Sequence, residues 1–210
     1  SFEDCSHLVE KSKSSNPELA LAVSLGFLTL ARLDSLLLLR VADVQYIDEG
    51  LTISFPKTKT RPTGFKIRIP PTAPLFPGRL VSMLSYKPAL QQILRLPDES
   101  DQQMRYRLTT DLSSAAAKYL RHHMTFHSIR RGSASCLLTH GVPEAVIMAL
   151  GTWKSRESFL SYVEEAVHLI GENDEEFEIV GDLPTERHDS DASHVENAKE
   201  SDEKKKSDLL

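Results

Sequence analysis

Residues 19–30 constrain the fold more than any other part of this chain. Leu19, Leu21, Val23, Leu25, Phe27, Leu28 and Leu30 point in nearly every direction around a helical axis. A helix that is apolar all round has to be buried. Its start is written just upstream in Asn16-Pro17-Glu18, where the asparagine can cap a helix and the proline suits its first position. The helix is expected to run to about residue 32. The apolar run is too short to span a bilayer, which takes about 18 residues or more, so its cover must come from the rest of the protein. With 210 residues, 40% of them hydrophobic, the chain has enough for one core of ordinary size.

Residues 1–15 carry a short helix and a loop. Asp34-Ser35 caps a short helix over 36–40. Val44-Gln-Tyr-Ile47, Leu51-Thr-Ile-Ser-Phe55 and Phe65-Lys-Ile-Arg-Ile69 alternate as three strands. Prolines at 70, 71, 74 and 77 make a rigid connector. Helices are expected over 79–86, 88–96, 113–120 (capped by Thr109 or Thr110), 127–140 (stopped by Gly141) and 143–150, with a last one opening at Lys154/Ser155. The fold class is therefore mixed α+β and mainly helical, with a small three-stranded antiparallel sheet. From about Gly171 onward acidic and polar residues dominate, which reads as a disordered tail with one apolar patch, Phe177-Glu-Ile-Val180. The expected division is 1–15, a linker remnant; 16–170, the body; and 171–210, the tail.

The net charge of −5 hides an asymmetry. Residues 1–162 carry 20 Lys/Arg against 14 Asp/Glu, whereas 163–210 carry 5 against 16. A basic body suits a nucleic-acid partner, and the acidic tail could compete with that partner. Cys5 and Cys136 match no metal spacing and read as reduced thiols of an intracellular protein. No basic-then-apolar leader opens the chain.

The chemistry concentrates in Thr125-Phe-His127-Ser-Ile-Arg130-Arg131-Gly132 and Leu150-Gly-Thr-Trp153, followed by Tyr162. On a helix, His127 and Arg130 share a face, with Cβ atoms about 5–6 Å apart. A guanidinium offers a planar fork of donors that stays charged, and an imidazole can donate a hydrogen bond or move a proton near neutral pH. Together they suit an oxyanion with several oxygens, such as a phosphodiester. His123 and His127 would make a metal pair only if both were helical. Met124-Thr-Phe126 reads as extended and no third ligand lies near, so no metal is expected.

This arrangement resembles the catalytic domain of the tyrosine recombinases, the site-specific DNA recombinase and integrase family, over roughly residues 15–165. Besides His127-x-x-Arg130, the segment Ala31-Arg32-Leu-Asp-Ser-Leu-Leu-Leu-Leu-Arg40-Val-Ala-Asp43-Val looks like the family's first arginine motif. Lys57-Thr-Lys59-Thr-Arg61 sits on the expected hairpin. The resemblance implies catalytic roles for Arg32, Lys59 (with Lys57 as runner-up), His127, Arg130, Trp153 and Tyr162, the last as nucleophile. Trp153 stands where the family has a second histidine or a tryptophan, its N–H turned toward a phosphate oxygen. One departure is Ser35, which occupies a position usually acidic in the family; either the neighbouring Asp34 substitutes or the support of Arg32 is weaker.

What the resemblance implies is a DNA strand transferase that cleaves and rejoins DNA through a 3′-phosphotyrosyl intermediate, with no metal, ATP or other cofactor. Its partners would be double-stranded DNA and further copies of itself in a synaptic tetramer, not a membrane. It would act in the nucleus of a eukaryote or the cytoplasm and nucleoid of a bacterium or phage. Such enzymes usually carry an additional N-terminal helical domain. A type IB topoisomerase and a catalytically degenerate, recombinase-derived DNA-binding protein stay open as alternatives, as does a scaffold that acts without DNA.

Overall fold

A computed structural model describes residues 1–47, 50–56 and 64–171, without the side chains of 164–171. Helix α1, Phe2–Ser12, starts on a reciprocal cap between Ser1 and Asp4. Helix α2, Pro17–Thr29, is capped by Asn16, whose side-chain oxygen accepts from the Leu19 N–H at 3.1 Å. Every residue from Leu19 to Phe27 is buried, as the all-round apolar pattern predicts. Helix α1 and the helices over Gly78–Leu84, Asp101–Tyr119 and Phe126–Thr139 pack around it.

Helix α3, Leu33–Leu37, and a turn of 3-10 helix over Val41–Asp43 lead into the sheet. Strands β1 (Val44–Ile47), β2 (Gly50–Phe55) and β3 (Phe65–Ile69) form an antiparallel meander in the order β1-β2-β3. Val44 pairs with Ile53, and Leu51 with Ile69. Leu51, Ile53 and Phe55 alternate inward on β2 and join the core. The remaining helices are α4 (Gly78–Leu84), α5 (Asp101–Tyr119), α6 (Phe126–Thr139), α7 (Glu144–Gly151) and α8 (Arg156–Gly171). The fold class is as expected from the sequence: mixed α+β, mainly helical, with one small antiparallel sheet. The hairpin tip carrying Lys57 and Lys59, and the tail beyond Gly171, lie outside the described residues.

Four element boundaries differ from the sequence reading. Helix α2 stops at Thr29 instead of about 32, because Leu30 turns left-handed (φ 54°) and breaks the helical path. Helix α3 then begins at Leu33, not 36, so that Leu36 and Leu37 bury in its last turn. The expected helix over 88–96 does not form. Its backbone pairs instead with residues 39–42: Val41 N–H donates to the Gln91 carbonyl at 3.0 Å, and Ile93 N–H to the Leu39 carbonyl at 2.9 Å. Helix α5 starts at Asp101, twelve residues earlier than expected, behind a reciprocal Ser100–Gln103 cap. Met104, Leu108, Leu112 and Ala116, four apart, form its buried stripe.

The irregular segment after α4 is held by a buried ion pair. Lys87 Nζ donates to Glu18 Oε1 on α2 and to the Ile93 and Arg95 carbonyls, each at 2.9 Å. All three ammonium hydrogens are therefore used. The two side chains are only 3% and 8% exposed. Removing one member strands the other charge inside, which costs about 3–5 kcal/mol. Lys87→Met is accordingly expected to lower the thermal midpoint on the order of 10 °C. A loss of a degree or less would show that the pair contributes nothing.

Candidate functional site

The site lies where α6, α7, α8 and the end of α2 meet. Thr125 caps α6: its hydroxyl accepts from the Ser128 N–H at 3.1 Å, while the Thr125 N–H reaches the Ser128 hydroxyl at 3.3 Å. This fixes the start of the helix at Phe126, places His127 on its first turn and leaves His123 outside the helix. Ile129 and Ala134 bury the inner face of α6, and the Ser133 hydroxyl donates to the Phe27 carbonyl of α2.

Arg130 points inward and is 3% exposed. Among the described residues no carboxylate pairs with it. Its two terminal nitrogens donate to the Leu30 and Gly151 carbonyls, at the C-terminal ends of α2 and α7. Helix C-termini carry partial negative charge, so the cation is held by two dipole ends. The Trp153 indole stacks on it, 4.0 Å from Cζ to the ring centroid. Burial first, then the charge of nearby Arg32, pulls the guanidinium down to about 10, against an opposing pull from Tyr162. It stays charged at neutral pH.

A small core of Leu30, Ala134, Ile147, Trp153, Phe159 and Val163 lies beneath. Phe159 and Val163 anchor α8 in it, and helical spacing from them places Tyr162 at its rim. The Tyr162 hydroxyl is 3.4 Å from His127 Nδ1, with ring centroids 4.7 Å apart. The same ring meets Trp153 edge-on at 5.2 Å and lies 5.8 Å from Arg130 Cζ. Phenol, imidazole, guanidinium and indole are thus one contact group.

Two donors in this group, Arg130 Nε and Trp153 Nε1, are buried with no hydrogen-bond partner among the described residues. An unpaired buried donor costs roughly 1–3 kcal/mol. Here the sequence reading needs correcting: the indole ring is buried as expected, but its N–H is enclosed rather than facing outward, because Trp153 packs against Phe159 and Tyr162.

Among solved structures, the crystal structure of XerA recombinase superimposes with a TM-score of 0.66 at 15% sequence identity, covering 85% of this chain and 65% of that one. The fold is recombinase-like. No protein-family model and no curated protein matches the chain.

Within this fold, four of the six residues singled out in the sequence touch one another: His127, Arg130, Trp153 and Tyr162. Arg32 is near enough for its charge to act on Arg130, but it is exposed. It does not end α2 as expected. It occupies the extended position before α3, two residues beyond the left-handed Leu30. Lys59 lies outside the described residues. Asp34, the neighbour of Ser35, pairs through its carboxylate with Arg105 on α5. The sequence reading missed Leu30 and Gly151, which act through their carbonyls. The run Leu150-Gly-Thr-Trp153 marked the neighbourhood of Gly151, but nothing in the sequence marks a carbonyl as a ligand.

Proposed function

We propose that this chain is a DNA strand transferase of the tyrosine recombinase type. The observation that carries the reading is the seating of the Tyr162 hydroxyl 3.4 Å from a ring nitrogen of His127 and against the buried, charged Arg130. A phenol with an ordinary pKa of about 10 needs a base to become a nucleophile near neutral pH, and His127 is in reach. The phenol oxygen attacks the scissile phosphorus in line, and His127 takes its proton. The bond from phosphorus to the 5′ oxygen breaks, and Lys59 supplies that oxygen with a proton. The products are a 3′-phosphotyrosyl ester and a free 5′-hydroxyl. Because the ester conserves the energy of the broken bond, attack by a second 5′-hydroxyl reverses the step without ATP. Arg32 and Arg130 meet the non-bridging oxygens, whose charge grows in the transition state, and the Trp153 ring covers Arg130. Double-stranded DNA is the substrate, and paired exchange requires several copies on DNA.

One observation favours a second reading, a DNA-binding protein with weakened catalysis: Ser35 stands at the usually acidic position, and Asp34 is held by Arg105. A nicked suicide duplex, from which the 5′-hydroxyl fragment diffuses away, separates the two. The enzyme accumulates a denaturant-resistant protein–DNA adduct whose DNA-linked peptide contains Tyr162. Salt-sensitive DNA binding with no adduct on any duplex offered would instead establish the second reading. Relaxation of supercoiled plasmid by a monomer would point to topoisomerase activity.

A further inference from the structure

We propose that Gly151 is a positioning residue: its missing side chain seats the Trp153 indole over Arg130, while its carbonyl holds the guanidinium from the other side. The inference rests on the preceding reading, in which Arg130, covered by Trp153, receives the phosphate.

A Cβ placed on Gly151 would fall 1.7 Å from Trp153 Cζ3, 2.3 Å from Cε3 and 2.7 Å from Cη2. The six-membered half of the indole therefore occupies the space of the absent side chain. This overlap follows from the chain path. Helix α7 ends at Gly151, and Thr152 turns left-handed (φ 62°). The Trp153 N–H then donates back to the Met148 carbonyl at 3.0 Å, which folds residue 153 over residue 151. The indole cannot slide away to make room, because Leu30, Ala134, Ile147, Phe159 and Val163 close around it. It also packs on Arg130, 4.0 Å away, and meets Tyr162 edge-on at 5.2 Å. The requirement at 151 is one of space. One methyl group would move the aromatic cover of Arg130 and disturb the carbonyl that Arg130 uses.

The test is a double-mutant cycle between Gly151→Ala and Trp153→His. Histidine lacks the three ring atoms that a Cβ at 151 would strike, so the alanine has nothing to displace in that background. A shift of about 1 Å in a catalytic group costs on the order of 10²-fold in rate. Gly151→Ala alone is therefore expected to slow adduct formation on the suicide duplex at least roughly tenfold, with DNA affinity unchanged. It is also expected to shift the emission of Trp153, the chain's single tryptophan. In the Trp153→His background the same alanine changes the rate less than about twofold. Rescue of folding by Trp153→His, should Gly151→Ala unfold, supports the same coupling. An equal loss in both backgrounds, or an alanine variant with unaltered rate and emission, overturns the proposal. If the parent protein forms no adduct, the strand-transfer reading falls on its own account. The emission shift and the same cycle run on thermal midpoints then decide the role of Gly151.

Discussion

Tyr162→Phe is expected to reduce covalent capture of DNA to background while leaving folding and DNA affinity intact. The substitution removes one oxygen and keeps the ring that packs on His127 and Trp153. The hydroxyl's contact with His127 Nδ1 is long, 3.4 Å, and lies at the exposed rim of the site. Losing such a contact costs at most about 1 kcal/mol of stability. No other tyrosine can substitute for it. Tyr86 and Tyr106 are 77% and 72% exposed on other parts of the surface, Tyr119 packs against His7 on α1, and Tyr46 lies against Gly78. A Tyr162→Phe protein that still forms an alkali-resistant adduct at the parental rate would remove Tyr162 from the mechanism. A variant that loses DNA binding together with the adduct would make Tyr162 a binding residue.

Arg130→Lys is expected to fail on two counts, although it keeps the charge. The arginine fork spans two carbonyls from different helix ends, at Leu30 and Gly151, and presents a flat face to the indole. A lysine ammonium is a compact point charge with no such face and cannot hold both carbonyls in the same geometry. One buried carbonyl left unpaired costs about 1–3 kcal/mol, which urea unfolding would register as a lower midpoint with unchanged slope. Loss of the positioned donors should slow adduct formation by roughly 10²–10³. In the parent the guanidinium stays charged across the neutral range, so its own contribution should not vary with pH there. A lysine variant with parental rate would show that charge alone suffices, and the fork geometry would lose its proposed role.

Much of this architecture is legible in residue order because its causes are local. The burial of α2 follows from apolar residues on all its sides, the three strands from alternation, and the start of α6 from Thr125 and Ser128. Helix α5 was read only in its last third, 113–120; the four-residue spacing from Met104 to Ala116 and the Ser100–Gln103 cap that extend it to Asp101 are local signals that the polar run over 97–103 masked. The segment 88–96 was not legible. Its helical pattern lost to hydrogen bonds with residues 39–42, and a pairing between segments so far apart leaves no periodic trace in either one.

The candidate site divides in the same way. The sequence alone determined which chemical groups are available and in what order, from Arg32 through His127 and Arg130 to Trp153 and Tyr162, because side-chain chemistry and helical spacing are local properties. Tertiary structure alone decided that Arg130 is clamped by backbone carbonyls 100 and 21 residues away, that Arg32 leaves its helix, and that Asp34 turns to Arg105. Every residue carries a carbonyl, so which one becomes a ligand depends on where the helices end in space. At Leu30 and Thr152 that is set by left-handed turns made between packed helices.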